Sequence, residues 1–309
     1  MALSPHGPAL PFTPSGEGGV GGEGSSKEIG PSNSYDPAAG IVSAEVLRYR
    51  SGAKLEQHSD ALACEEPLEI RVRGRNIAVT MRTPGHDREL AAGFLLTEGI
   101  IHKREDVVEI APCLESDAPE NTINVFLAPA VEVDFERLTR HVFAASSCGL
   151  CGKASIEAVH QHFAPITSNM AISTETLAQL PERLRAAQAT FAQTGGLHAA
   201  AIFDAGGRLL VLREDIGRHN AVDKILGNSL LENTLPLDAH VLLVSGRASF
   251  EIMQKALAAR IPVVAAISAP SSLAVEFARE SGQTLVGFLR GQTMNLYSHP
   301  ERIAGALGS

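Results

Sequence analysis

Residues Val241–Leu289 read VLLVSGRASFEIMQKALAARIPVVAAISAPSSLAVEFARESGQTLVGFL, and this stretch decides the fold. Val241–Val244 and Val263–Ile267 are short, wholly apolar strands, and Thr284–Leu289 is a third. Phe250–Arg260 and Leu273–Glu280 fall between them and read as helices. A strand that is apolar on both faces has to be covered on both faces. Strand–helix–strand–helix–strand with such strands predicts a parallel sheet in an α/β domain.

In a sheet of this kind, ligands bind outside the carboxyl ends of the strands. Three loops leave those ends: Ser245-Gly246-Arg247, Ser268-Ala269-Pro270-Ser271-Ser272 and Arg290-Gly291-Gln292-Thr293. Each has small residues that let a ligand approach backbone, together with hydroxyl or guanidinium donors. Two lead into helix N-termini, whose free N–H groups attract anions. Arg247 and Arg290 have the forked geometry that suits phosphate oxygens. A phosphate-bearing ligand is one reading of these loops, and tight turns are the other. Upstream, Asp215-Ile216-Gly217-Arg218-His219-Asn220 offers capping groups in Asp215 and Asn220 and ligand contacts in Arg218 and His219. A helix cap with a solvated turn is its alternative.

Moving towards the N-terminus, His198–Phe203 and Arg208–Leu212 flank Asp204-Ala205-Gly206-Gly207 and form a hairpin, followed by a helix over about Asn220–Leu226. Ser173–Phe191 is helical and ends at Gly195-Gly196, and the segment around Asn169 is a linker. Earlier still, Leu68, Ile70 and Val72 alternate with polar residues, as do Ile77, Val79 and Met81. Arg73-Gly74-Arg75-Asn76 lies between them, so this is another hairpin. A helix follows over Asp87–Glu98 with Gly99 as its cap, then strands at Val107–Ile110 and Thr122–Leu127. Roughly half of residues 1–40 are Gly, Pro or Ser, and Gly16–Gly24 is Gly and Glu with one Val. Such a composition buries too little to offset the entropy of ordering. The expected organisation is a disordered tail at 1–40 and a small α+β domain at 41–145. A cysteine loop and linker helix follow at 146–165, then a larger α/β domain at 166–309.

The net charge of −9 argues against a broad nucleic-acid surface, because phosphate contacts need clustered Lys and Arg. Aromatic residues are 5% and Trp is absent, which leaves no base-stacking platform. No apolar run approaches the ~20 residues that span a bilayer, and no signal peptide is recognisable. The expected compartment is the cytoplasm, with no membrane or nucleic-acid partner.

Of the four cysteines, Cys64 and Cys113 stand alone and read as packing residues. Cys148-Gly149-Leu150-Cys151 is the strongest local signal. Two thiols at this spacing, just before a helix (Lys153–His160), can have lowered pKa values, because a helix N-terminus favours thiolate. A thiolate can attack a disulfide, bind a metal or carry sulfur as a persulfide. A structural zinc site needs four ligands. Here Cys64 and Cys113 are isolated, and His160 and His162 have the wrong spacing, so no metal is expected. A thioredoxin-like dithiol would follow the first strand of its fold, but more than a hundred residues precede this one. A zinc deaminase pairs H-x-E with P-C-x-x-C. His198-Ala199-Ala200 lacks the Glu, Ser147 replaces the Pro, and the order is reversed, so that chemistry is rejected.

The assembled markers are Thr83-Pro84-Gly85 with Gly93–Gly99, Ser146–Gly152, Thr194–His198, Arg213–Lys224, Ser245–Glu251 and Arg290–Asn295. In this order they resemble the formate dehydrogenase accessory sulfurtransferase family, the FdhD family, from about Tyr49 to Ile303. The resemblance implies a larger domain with a cytidine-deaminase-like fold without its zinc site. It implies a sulfurtransferase that takes sulfur from a cysteine desulfurase as a persulfide. The sulfur would pass to the molybdenum or tungsten bis(molybdopterin guanine dinucleotide) cofactor, bound as substrate, which then enters formate dehydrogenase. Matched by motif, Cys148 is the persulfide carrier and Cys151 its helper. By the same resemblance, Phe288, Leu289, Arg290, Gly291, Gln292 and Thr293 would contact the guanine dinucleotide, and the protein would be a homodimer. The rival expectation is a non-catalytic chaperone that binds the cofactor and inserts it into formate dehydrogenase.

Overall fold

The computed structural model describes residues 35–36, 40–52, 54–135 and 163–306. Cys148, Cys151 and the helix expected at Lys153–His160 lie outside the described residues.

The N-terminal part carries three strands, β1 (Tyr35–Asp36), β2 (Ile41–Arg48) and β3 (Glu56–Ala63), paired antiparallel as a ribbon. Sequence reading placed no strands here, because β2 and β3 bury little and carry no clean apolar alternation. β4 (Glu66–Val72) and β5 (Arg75–Arg82) form the expected hairpin. Its turn is Arg73-Gly74, with φ of 50° and 74°. Positive φ at both central residues is the geometry that matches strand twist in a two-residue turn. A register shift between Ile70 and Arg71 then turns β5 over. Ile77 and Ala78 are buried, but Val79 and Met81 face outward and Arg82 faces inward at 1% exposure.

α1 (Asp87–Thr97) follows, then β6 (Val107–Pro112) and β7 (Thr122–Leu127), which complete a four-stranded sheet of order β5-β4-β7-β6. β8 (Ile172–Ser173) leads into α2 (Thr174–Ala187) and α3 (Ala189–Thr194). These two replace the single expected helix because the backbone leaves helical geometry at Gln188, where ψ is 81°. β9 (His198–Asp204), β10 (Leu209–Asp215) and α4 (Arg218–Leu231) come next. Then β11 (His240–Val244), α5 (Phe250–Ala258), β12 (Val263–Ala266), α6 (Ser272–Glu280) and β13 (Thr284–Arg290) alternate as the sequence predicts. β14 (Thr293–Ser298) and β15 (Ile303–Ala304) close the described chain.

The six-stranded sheet has the order β10-β9-β11-β12-β13-β14. Only the β11–β12 and β12–β13 pairs are parallel; β9 and β14 run against them, and β10, paired antiparallel with β9, points the same way as β11–β13. The sheet is therefore mixed rather than wholly parallel. Its two faces are buried in alternation, as continuous apolar strands require. Leu242, Val244, Val264 and Ala266 join the core with α4, α5 and α6. Val241, Leu243, Val263 and Ala265 pack on Leu177, Leu180 and Leu184 of α2. The core on the α4 side also takes in Leu68, Ile70, Leu90 and Leu95, so the four-stranded sheet and α1 share it. The result is a mixed α/β architecture with several sheets and, among the described residues, six α-helices.

Candidate functional site

Because β9 runs antiparallel to β11, its first residue, His198, emerges where β11 ends. Ser245 fixes that corner twice. Its N–H donates to the Ala199 carbonyl at 2.9 Å, and its Oγ accepts from the Ala199 N–H at 2.9 Å. Asp215, the last residue of β10, pairs with His198. The ends of β10, β11, β12 and β13 and the starts of α4, α5 and α6 therefore gather at one edge. The three loops predicted from the parallel strands do lie together, and the Asp215–Asn220 segment joins them.

Asp215 is fully buried. Its Oδ1 accepts from the Gly217 N–H at 2.8 Å and from Asn220 Nδ2 at 3.0 Å. Its Oδ2 accepts from the Thr83 N–H at 3.2 Å and lies 2.7 Å from Lys224 Nζ. Lys224 Nζ also donates to the Thr83 carbonyl at 2.8 Å, and the Ile216 N–H donates to Thr83 Oγ1 at 3.1 Å. A buried carboxylate is tolerable only when its lone pairs are satisfied in this way. Thr83 and the 215–224 segment thus form one hydrogen-bonded unit that joins two motifs far apart in sequence. The simple solvated-turn reading of Asp215–Asn220 is replaced by this buried anchor.

The anchor sets Arg218 and His219 at the start of α4. Arg218 Nε is buried and has no hydrogen-bond partner among the described residues. Gly246 lies against Arg218 and His198: a Cβ there would sit 3.7 Å from Arg218 Cδ and 3.3 Å from His198 Nδ1. His219 Nε2 is 3.2 Å from Ser249 Oγ and 3.9 Å from Glu251. Burial, with Arg218 and Lys255 adding positive charge, pushes His219 down to about 4. Burial and then Arg218 also lower His198.

The Phe288–Thr293 segment is the turn between β13 and β14, and sequence reading missed β14 as a strand. Phe288 has φ of 52°, a left-handed conformation that is rare outside glycine. Its N–H donates to the Ser268 carbonyl at 3.1 Å. Arg290 Nε donates to the Ile267 carbonyl at 2.9 Å, and its guanidinium carbon lies 5.8 Å from the Phe288 ring centre. Gly287 makes the close approach possible, since a Cβ there would fall 2.9 Å from Pro270 Cδ. Phe288, Arg290, Gly291, Gln292 and Thr293 are exposed, whereas Leu289 is a core residue at 0% exposure. The turn is thus pinned to the end of β12 and presents an aromatic ring and a guanidinium to solvent.

Sequence reading passed over His198, Ser249 and Glu251 as site groups. His198 was weighed only as a deaminase zinc ligand. Its place opposite Asp215 comes from the β9–β10 hairpin running on to Asp215, past Leu212 where the expected second strand ends. Cys64 and Cys113 are both buried. Cys64 Sγ is 3.6 Å from Glu66 Oε1, and Arg71 donates to Cys113 Sγ at 3.5 Å. Among the described residues, no group of three or more His, Cys, Asp or Glu side chains could hold a metal ion. Also among the described residues, no helix is long and apolar enough to cross a membrane.

Comparison with known proteins follows the same outline. The FdhD/NarQ family model matches residues 63–304. The sulfur carrier protein FdhD of Streptomyces coelicolor is 52% identical over 267 residues, covering 84% of this chain and 94% of the relative. That of Mycolicibacterium paratuberculosis is 56% identical over 250 residues, covering 79% and 92%. The archaeal protein of the same name from Sulfolobus acidocaldarius is 46% identical over 244 residues, covering 79% and 91%. A crystal structure described as a formate dehydrogenase accessory protein from Desulfotalea psychrophila superposes with a TM-score of 0.68 at 27% identity. It covers 85% of this chain and 99% of the other.

Proposed function

The chain belongs to the FdhD/NarQ family, and from that premise we propose that it is a sulfur carrier for the maturation of formate dehydrogenase. It works in the cytoplasm, where thiols stay reduced, as a homodimer. The Cys148 thiolate attacks the outer sulfur of a cysteine desulfurase persulfide. The new S–S bond leaves sulfur on Cys148 and returns the desulfurase cysteine as a thiol. Cys151 then attacks the inner sulfur of the Cys148 persulfide, closing a disulfide and releasing hydrosulfide towards the molybdenum or tungsten of the bis(guanine dinucleotide) cofactor, which is the substrate. A dithiol reductant reopens the disulfide.

The single observation that supports this reading is the gathered sheet edge. Three helix N-termini, Arg218 and Arg290 meet there beside the exposed Phe288–Thr293 turn. Backbone N–H groups and guanidinium groups suit phosphates, and the Phe288 ring suits a planar base. The six-stranded sheet with its flanking helices is the cofactor-binding, cytidine-deaminase-like domain of this proposal. The 41–145 segment is the smaller domain, and the cysteine loop lies between them in the chain.

The test is mass spectrometry after incubation with desulfurase and cysteine. One added sulfur on the peptide containing Ser146–Gly152, lost in Cys148→Ala, is the expected result. An unmodified peptide, with formate dehydrogenase still matured in cells, would leave the non-catalytic chaperone as the function.

A further inference from the structure

Among the described residues, β1 pairs with β2 only at Ile41 and Val42, so from Ser43 outward β2 and β3 have each other as their strand partners. Eight residues at about 3.3 Å each make this ribbon about 26 Å long. Its tip carries Leu47, Tyr49 and Leu55, exposed at 67%, 67% and 61%. Single exposed apolar side chains are ordinary, but three gathered at the end of a strand pair mark a contact surface. Arg48, Arg50 and Lys54 stand among them and are exposed as well. On a chain of net charge −9, the tip is therefore a local point that is both apolar and basic.

The same chain holds a cavity of matching character. It has a volume of about 840 Å³ and lies where the start of α1, the ends of β6 and α4 and the turn before β7 come together. Leu68, Pro112, Ile123 and Leu231 give it apolar walls. Glu120 and Glu232 line it and are exposed, so they form its rim. α4 ends there with no basic residue in its last turn, and the carbonyl end of the helix adds negative potential. The other charges are mostly engaged within the chain. Arg82 holds Asp87, Arg213 holds Glu89, and Arg104 donates to the Val107 carbonyl. Arg88 adds one exposed cation to the rim, as Glu56 adds one exposed carboxylate to the tip.

We infer that the β2–β3 ribbon is an arm that docks in this cavity on a second copy of the chain, the two copies exchanging arms across a two-fold axis. The inference rests on the homodimer reading and assigns its interface. Charge and polarity select the occupant: an apolar, basic tip meets apolar walls under an acidic rim. The foot of the arm lies beside its own cavity, because Gly40 packs on Thr83, just ahead of α1. The paired strands hold the tip about 26 Å from that foot, which directs it to another copy's cavity. Exchange makes the contact twice, as an isologous dimer requires. Apolar anchors at the centre with charges around them are the anatomy of a stable interface. α4 runs from Arg218 at the ligand edge to Leu231 at the cavity, about 20 Å at 1.5 Å per residue, so the arms leave the ligand edge open.

Light scattering over a dilution series of the full, reduced chain tests this. The unaltered chain should be a dimer. Arg48→Glu/Arg50→Glu and Glu120→Arg/Glu232→Arg should each raise the dimer dissociation constant at least tenfold, since each sets like charges against one another in both contacts. All four side chains are exposed, so the fold should persist, which thermal melting checks. An equimolar mixture of the two variants should regain the dimer, because every arm then meets a rim of opposite charge. Failure of the mixture to recover would overturn the pairing of this arm with this cavity. A dimer that withstands both double substitutions would overturn the arm and leave the homodimer reading standing through another face. A chain that is monomeric at every concentration would overturn both. Sedimentation with phosphatidylglycerol vesicles that is lost in Arg48→Glu/Arg50→Glu, while the dimer is unaffected, would give the tip to a lipid surface and overturn the docking.

Discussion

Gly93 of α1 and Gly227 of α4 meet backbone to backbone. A Cβ on Gly227 would fall 2.7 Å from the Gly93 N and 1.8 Å from the Glu89 carbonyl oxygen. A Cβ on Gly93 would fall 1.8 Å from the Asp223 carbonyl oxygen. The contact is thus set by two absent side chains, and it packs the first helix against the one that begins at the ligand edge.

Gly227→Ala should therefore destabilise the protein by about 3 kcal/mol or more, although alanine normally favours a helix. The two backbones would have to separate, because a carbonyl oxygen cannot rotate away as a side chain can. Urea unfolding of the variant reads this directly. A loss below about 1 kcal/mol would show that the helices can part cheaply.

Acid should destabilise the protein in two pH windows. Arg213 donates to Glu89 at 2.6 and 2.7 Å. Burial raises the Glu89 pKa, but His86 and Arg213 outweigh it, and the carboxyl sits at about 2 against 4.5. Its folded value is depressed, so its contribution is fully present above about pH 4.5 and is lost as pH falls towards 2, with a ceiling of about 3 kcal/mol. His219, at about 4 against 6.5, is also depressed, so its part is lost between about pH 6.5 and 4. In urea titrations across pH 2–8, Glu89→Gln should flatten the lower window and His219→Gln the upper one.

The buried pair of Asp223 and Lys255 joins three helices. Lys255 Nζ reaches both Asp223 oxygens at 2.8 Å and Thr97 Oγ1 at 3.0 Å. Burial raises the Asp223 pKa, and Lys255 opposes that rise. Lys255→Met should cost about 3–5 kcal/mol by stranding the carboxylate. Adding Asp223→Leu should recover much of the loss. A double-mutant cycle in which the two losses simply add would show that the pair does not act as a unit.

Sulfur transfer should separate the cysteines. Cys148→Ala should abolish formate dehydrogenase maturation in cells lacking their own accessory protein, and Cys151→Ala should impair it. Cys64→Ser with Cys113→Ser should leave persulfide formation intact, since both thiols are buried at 4% and 7% exposure. Loss of labelling in that double variant, with the fold retained, would bring a buried thiol into the chemistry.

What the chain by itself determined are the features carried by neighbouring residues. The apolar runs Val241–Val244 and Val263–Ile267 could only be strands covered on both sides, and Arg73-Gly74 marked a turn within a few positions. The Cys148–Cys151 spacing and the ordered motifs placed the chain in its family before any contact was known. The tertiary structure decided what depends on distant partners. It turned Val79 and Met81 outward through one register shift, and it made strands of β2 and β3, where local burial is slight. It tied Thr83 to Asp215 and Lys224 across more than 130 positions. Nor does composition reveal that Gly93 and Gly227 touch, or that Phe288 takes a left-handed φ. These follow from where two elements cross, and chain neighbours carry no record of the residue that will pack against them.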